Sequence, residues 1–241
     1  MTTLFIADLH LSPSEPDITR CFRTFMREEA IHADALYVLG DLFEFWIGDD
    51  DDSDFSDQIR QEFKTLTQAG VPCYFVRGNR DFLIGRRFAK QTGMTLLKQE
   101  SIIDLYGNKA VILHGDTLCT RDVNYLKFRK KVHQPWLQWL FNRIPLWVKK
   151  KIIAKVQSDI REDKQTKSLD IMDVTPSEVD SVLEKHQVDL MIHGHTHRPN
   201  IHTIGNTKEK KTRVVLGDWY TQGSVLVYDE NGYELQARPF N

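Results

Sequence analysis

Seven side chains of the kinds that hold hard or borderline cations stand in this chain at the ends of short apolar runs: Asp8, His10, Asp41, Asn79, His114, His195 and His197. Val188, Leu190, Met191 and Ile192 read as a buried strand that stops at Gly194. His195 and His197 follow at i and i+2, so both imidazoles can leave an extended segment on the same side. Asp8 and His10 repeat that spacing after residues 4–7. Asp41 follows residues 35–39 and Gly40, Asn79 follows residues 73–76 and Gly78, and His114 follows residues 110–113. Singly, each has a bland explanation as a turn aspartate, a capping asparagine or a hydrogen-bonded core histidine. Gathered at corresponding strand ends, they form a nitrogen and oxygen donor set without thiolate, which favours Mn, Fe or Zn and excludes a soft cluster. Seven donors exceed the needs of one ion. A pair of ions about 3.5–4 Å apart that share a carboxylate accounts for the number, and Asp41 is the expected bridge. Cys119, near His114 in sequence, is expected to be a buried thiol.

Placing ligands at the carboxyl ends of strands is the habit of α/β sheets, and the remaining pattern agrees with that class. Pro16 and Asp17 open a helix that puts Ile18, Phe22, Phe25 and Met26 on one face. Further helices are predicted over 55–69, 82–90 and 177–185. Gly107-Asn108 marks a hairpin between strands at 102–106 and 110–113, and Asn231-Gly232 marks a last one after strands near Ile201, 213–216 and 224–227. Residues 48–57 carry six aspartates without the spacing or terminal Glu of an EF-hand, so a solvated acidic loop is expected.

The chain of 241 residues, 41% hydrophobic, suffices for a real core. Its net charge of −2 argues against generic binding of nucleic acid, and nothing in the sequence marks a protein partner. Three separated cysteines without a Cys-x-x-Cys pair suit a reducing cytosol. Met-Thr-Thr leads straight into an apolar strand, so no signal peptide is expected, and no run is long enough to span a bilayer. Residues 121–170 differ from the rest. They read as helical, with breaks at Pro135 and Pro145, and the core is expected to be 1–120 plus 171–241 with this stretch as a helical cap insertion. From 121 to 167 there are 13 Lys and Arg against 4 Asp and Glu, and Trp136, Trp139 and Trp147 are three of the five tryptophans. Two roles fit: a membrane-interface or lipid-lining piece, or a cap whose apolar face packs on the core.

Asp8-x-His10, Gly40-Asp41, Gly78-Asn79-Arg80-Asp81, His114 and Gly194-His195-x-His197 together resemble, in order and over nearly the whole chain, the motif set of the calcineurin-like metallophosphoesterases. The resemblance implies an α/β fold built as a four-layer αββα sandwich with a dinuclear centre at its strand ends. It implies one metal on Asp8, His10, Asp41 and His197, and the other on Asp41, Asn79, His114 and His195. Within the family, residues 40–50, 78–82, 114–120, 169–174 and 192–199 resemble the UDP-2,3-diacylglucosamine pyrophosphatases of lipid A biosynthesis. That resemblance implies two divalent ions, most often Mn2+, and metal-activated water attack on the α-phosphorus of a lipid-linked UDP-sugar, giving UMP and the diacylglucosamine 1-phosphate. It also implies a peripheral place on the cytoplasmic face of the anionic inner membrane.

Relatives commonly carry His after the motif Asn, where it can protonate a leaving alkoxide; here the position is Arg80. Arginine is no acid near neutral pH, but its fork binds phosphate oxygens, and a sugar phosphate leaves without a proton. Asn79, Arg80 and His195 are therefore the expected charge-stabilising catalytic groups. The resemblance further implies substrate contacts at Asn79, Arg80, Asp122, Ile160, Lys164, Lys167 and His195. Ile160 stands where a small polar residue is expected, and Gln157 where a basic one is. Lys164 and Lys167 share a helix face with Ile160 and are expected on the 1-phosphate, while Asp122 and Tyr125, one turn apart, are expected on sugar hydroxyls. A phosphoesterase acting on a soluble nucleotide or phosphoprotein is the alternative.

Overall fold

The computed structural model describes residues 1–166, 173–205 and 210–240, with backbone alone for 157 and 159–166. Its first half runs β1 (Thr2–Ile6), α1 (Pro16–Glu28), β2 (Ala35–Val38), α2 (Asp54–Gln68), β3 (Cys73–Phe75), α3 (Arg86–Thr92), β4 (Thr95–Leu96), β5 (Ser101–Leu105) and β6 (Asn108–Ile112). Three helices follow: α4 (Val123–Val132), α5 (Pro135–Arg143) and α6 (Leu146–Thr166). The chain closes with α7 (Pro176–His186), β7 (Leu190–His193), β8 (Asn200–Ile204), β9 (Lys211–Val215), β10 (Gln222–Asp229) and β11 (Gly232–Pro239).

Two sheets result, ordered β11-β10-β1-β2-β3-β4 and β5-β6-β7-β9-β8. Strands β1 to β4 are parallel, as are β6, β7 and β9, and the antiparallel strands lie towards the edges. Parallel strands covered on both faces need continuous apolar runs. Strand β7 is buried at every residue, and β1 at all but its first. Three apolar layers follow. Ile18, Phe22, Phe25 and Met26 of α1, with Ile59 and Phe63 of α2, pack on one face of the first sheet. Phe5, Ala7, Leu39 and Val76 meet Ala110, Ile112, Ile192 and Val214 between the sheets. Val179, Val182 and Leu183 of α7 cover the outer face of the second. This is the αββα sandwich, and it sets the carboxyl ends of β1, β2, β3, β6 and β7 along one rim.

Several local expectations shift. The helix placed at 82–90 begins only at Arg86, because its free N–H groups are met from outside: Asp49 accepts from Gly85, Arg87 and Phe88 N, each at 3.0 Å. The acidic loop is therefore not simply solvated. Asp49 caps α3, Asp50 pairs with Lys149 at 2.6 Å, and Asp51 accepts from Ser53 and Ser56 and, through its carbonyl, from Arg60. Both hairpin turns sit one residue earlier than their dipeptides suggest. Leu105 pairs with Asn108, leaving Tyr106 (φ 54°) and Gly107 (φ 90°) as the turn, and Asp229 pairs with Gly232. In the first turn, the paired φ > 0 residues match the right-handed strand twist.

The segments that flank helices α4 to α6 meet at one place. Thr175 N donates to Leu118 O at 2.8 Å, and the hydroxyls of Thr120 and Thr175 meet at 2.6 Å. Helices α5 and α6 start at Pro135 and directly after Pro145, as expected. Neither α4 nor α5 has a buried side chain, and Trp136, Trp139 and Trp147 are 64%, 56% and 64% exposed. These indoles therefore do not pack on the core. Contact with the core comes instead through Phe141, through a stack of His133 on Phe82 (centroids 5.0 Å), and through Lys149, which is wholly buried.

Candidate metal centre

The seven donors are placed by loops that leave the strands at the rim, and five of them adopt the left-handed conformation: Asp8, His10, Asp41, His195 and His197 have φ between 51° and 72°. Such backbone costs on the order of 1–3 kcal/mol per residue and clusters at functional sites. Asp and His tolerate it better than most side chains. Hydrogen bonds hold the loops in it. Asp8 N donates to Gly40 O at 3.1 Å, His10 N to Asp41 O at 3.0 Å and Gly194 N to His114 O at 2.8 Å, so each loop is tied to the next. Asp81, which is fully buried, accepts from Gly78 N at 2.8 Å and Leu42 N at 2.7 Å and clamps the loop after β2 to that after β3. Burial, reinforced by the Asp41 carboxylate, raises its pKa.

Close approach explains two glycines. A Cβ on Gly78 would stand 2.2 Å from Asp41 Oδ1, and one on Gly194 would stand 2.3 Å from Asp8 Oδ2. The two carboxylates thus lie directly against the backbone of neighbouring loops. There Asp41 Oδ1 accepts from Arg80 N at 2.9 Å and Asp8 Oδ2 from His195 N at 2.7 Å.

The remaining atoms converge with their lone pairs towards each other. His10 Nε2 and His197 Nε2 are 3.2 Å apart, and Asp8 Oδ1 is 3.5 Å from His197 Nε2. His197 turns Nδ1 to Asp218 Oδ2 at 3.3 Å. His10 Nδ1 has no well-aligned hydrogen bond, and a Glu44 oxygen lies 3.3 Å from it. A carboxylate beside each Nδ1 favours the tautomer that offers Nε2 to a cation. The second group repeats the arrangement: His114 donates from Nδ1 to Leu39 O at 2.8 Å, while its Nε2 faces Asn79 Oδ1 at 2.9 Å and Asp41 Oδ1 at 3.7 Å. Acceptors this close need a cation between them. The carboxylates around the imidazoles favour positive charge there. Burial opposes charge on His197, but Asp218 and Asp8 outweigh it and lift its pKa to about 9. Burial likewise opposes charge on His114, and Asp41, Asp8 and Asp116 outweigh it. Asp8 is also buried against its charge, yet the imidazoles around it hold its pKa well below the usual range. Its Oδ1 is buried without a hydrogen-bond partner. This donor set fits a pair of divalent ions: Asp8, His10 and His197 close around one point, and Asp8, Asp41 and His114 around another. The two groups share Asp8, where the sequence points to Asp41 as the bridge. His195 lies edge-on to His114 with centroids 5.0 Å apart, and burial lowers its pKa to about 4, so it is neutral near pH 7.

Arg80 reaches the same rim. Its Nη1 donates to Glu44 Oε1 at 2.7 Å, its Nε is 3.9 Å from Asp41 Oδ2, and the guanidinium lies over the Phe45 ring. Asp122 caps α4 by accepting from Tyr125 N at 3.0 Å, and the Tyr125 hydroxyl donates to Asp116. Tyr125 therefore stands beside His195, with rings 6.4 Å apart, but its hydroxyl is already engaged. Ile160 and Lys164 lie on α6 with side chains outside the described residues, and Lys167 is outside them altogether. Cys119 is a buried thiol outside any disulfide, as expected, and burial raises its pKa to about 12. Sequence reasoning missed Glu44, Asp116 and Asp218, the carboxylates behind the donors. No spacing marks them, since each acts across loops from different strands.

Comparison with known proteins agrees with the geometry. Residues 1–199 match the family described as calcineurin-like phosphoesterase. Over the full chain, the protein is 68% identical to a UDP-2,3-diacylglucosamine hydrolase of Vibrio atlanticus, covering 99% of that protein. It is 69% identical to another of the same name from Vibrio parahaemolyticus, with both chains fully covered. Among solved structures, an archaeal phosphodiesterase superposes with a TM-score of 0.51 at 13% identity, over 98% of this chain and 99% of that one, a likeness of fold alone. The family match over most of the length and the end-to-end relatives leave one assignment: the chain belongs to the calcineurin-like phosphoesterases.

Proposed function

We infer that the protein hydrolyses the pyrophosphate bond of UDP-2,3-diacylglucosamine, releasing UMP and 2,3-diacylglucosamine 1-phosphate, with Mn2+ as the metal. The observation that carries the substrate is the end-to-end likeness, 68% over 241 residues, to a relative of that name. The ligands are Asp8, His10, Asp41, Asn79, His114, His195 and His197. When bound, the ions supply a nucleophile from water at neutral pH and neutralise phosphate charge.

The chain's own residues do the rest. Arg80, held on Glu44 and Phe45, presents its remaining donors to phosphate oxygens. Asn79 and neutral His195 border the same space and oppose the charge that builds on the phosphate. No acid is required for the leaving group, which is already a weak base, and none stands where His is common in relatives.

Residues 121–170 form the lipid-binding cap on a core of 1–120 and 171–241. Asp122, Tyr125, Ile160, Lys164 and Lys167 are its substrate residues, with Asp122 and Tyr125 shaping the sugar end through the capped start of α4. One feature supports a peripheral seat on the cytoplasmic face of an anionic inner membrane. Arg143 lies over the ring of exposed Trp139 (3.7 Å) and Lys151 over that of exposed Trp147 (5.3 Å), a pairing of cation and indole suited to a headgroup layer. Among the described residues, no helix is long and apolar enough to cross a membrane. The deciding experiment incubates purified protein with UDP-2,3-diacylglucosamine and Mn2+ and assays UMP. In 18O-water the label enters UMP; label in the sugar phosphate would overturn attack at the α-phosphorus.

A further inference from the structure

Glu44 is a carboxylate that neither the donor set nor the substrate reading uses. Its loop is pinned from both sides: Glu44 N donates to Leu11 O at 3.1 Å, Trp46 N donates to Arg80 O at 3.0 Å, and Leu11 and Phe43 form a parallel bridge. That pinning limits where the side chain can reach. One oxygen accepts from Arg80 Nη1 at 2.7 Å, and the other lies 3.3 Å from His10 Nδ1, an otherwise unmatched buried nitrogen. A single carboxylate therefore touches a candidate metal ligand and the candidate phosphate-binding arginine.

We propose that Glu44 is a positioning residue that couples the metal site to phosphate capture. This rests on the dinuclear reading of the rim. On the His10 side, the carboxylate holds the proton on Nδ1, turns Nε2 towards the cation and raises its basicity. On the Arg80 side, it occupies one edge of the guanidinium and leaves the other donors for an anion. It also keeps the arginine from closing onto Asp41, whose oxygen is already 3.9 Å from Nε. Both tasks depend on one side chain, so a change that moves it is felt at both. An ordinary ion pair would behave differently. With Glu44 35% exposed, a pair kept only for stability contributes little and leaves ligand affinities alone.

The test uses the full chain, stripped of metal, and two variants. Mn2+ alone is titrated calorimetrically into wild type, Glu44→Ala and Glu44→Gln, and inorganic phosphate is then titrated at saturating Mn2+. Glu44→Ala is expected to weaken one of the two Mn2+ ions by about 10- to 100-fold, the usual cost of losing a carboxylate behind a ligand histidine. It is also expected to weaken phosphate several-fold once metal is saturating. Glu44→Gln keeps an acceptor for Arg80 but turns an amide donor on His10 Nδ1, so Mn2+ weakens while phosphate stays near wild type. Wild-type Mn2+ affinity in Glu44→Ala, or weakened Mn2+ with phosphate untouched there, overturns the coupling. If Glu44→Ala does not fold, unchanged Mn2+ binding by Glu44→Gln overturns it. A wild type that binds no Mn2+ overturns the metal reading itself, a different failure.

Discussion

Lys149 and Asp50 lend themselves to an asymmetric perturbation. The Lys149 side chain is 0% exposed, its Nζ 2.6 Å from Asp50 Oδ1 and 3.3 Å from Asn142 O, with the Phe141 ring 5.7 Å away. Asp50 is 40% exposed. Lys149→Met keeps the length of the side chain and its packing along Phe141, and it strands a carboxylate that water can reach. The loss is then that of a hydrogen bond to a charged group, on the order of 1.5–3 kcal/mol. Asp50→Ala strands an ammonium with no water and only a carbonyl and a ring face for company, which costs about 3–5 kcal/mol. The partly exposed partner is thus the more damaging one to remove. In the double variant Asp50→Ala/Lys149→Met no charge is stranded, so its loss should be smaller than that of Asp50→Ala alone. Urea unfolding followed by tryptophan fluorescence reads the global term. Hydrogen exchange over residues 142–156 reads the same ranking where these helices open before the sheets. Lys149→Met proving as costly as Asp50→Ala, or the double variant showing the sum of the two losses, would refute the reasoning.

Four further outcomes are expected. Gly78→Ala drives a methyl against Asp41 and should abolish tight Mn2+ binding in calorimetry. Gly70→Ala (φ +96°, with nothing within 4 Å) should cost only about 1–2 kcal/mol of stability and leave metal affinity unchanged. Burial, followed by nearby Arg129, pushes His133 down to about 4 from 6.5, so the unfolded chain takes up its proton first as pH falls. Its contribution is intact above about 6.5 and lost progressively towards pH 4, and His133→Phe should flatten that part of the curve of urea midpoint against pH. Replacing Trp136, Trp139 and Trp147 with Ala should weaken sedimentation with anionic vesicles by at least about ten-fold, since one buried ring alone contributes about 1.5 kcal/mol or more. Hydrolysis of a short-chain, water-soluble substrate should persist in that variant.

The parts of the fold that could be read from the sequence are those set by periodicity. Ile18, Phe22, Phe25 and Met26 are the buried face of α1, and β7 is buried throughout, because one helix stripe and one covered strand each follow from apolar spacing. The candidate donors were legible for a related reason: each stands where an apolar run stops, and the rim brings the runs together. What stayed hidden depends on contacts between distant segments. Asp49 caps a helix 36 residues away, which delays α3 and turns an acidic stretch into structure. Lys149 reads as one of many lysines on a basic helix, yet it is buried because Asp50 waits under it. Asp116 reads as part of a strand-end turn, but it receives both Tyr125 and Arg129 from α4 and joins the insertion to the rim. Burial opposes its charge, but the cations around it, His114 and Arg129 foremost, outweigh that and hold its pKa down to about 2. No local pattern announces such partners.

Metal analysis shows whether the rim holds a pair of divalent ions. Protein reconstituted with Mn2+ and freed of excess by gel filtration is measured by mass spectrometry for metal per chain, beside Asp41→Ala and His197→Ala treated alike. A pair of ions is expected in the wild type and fewer in each variant. A wild type that retains only traces, or variants that retain as much as the wild type, would contradict this.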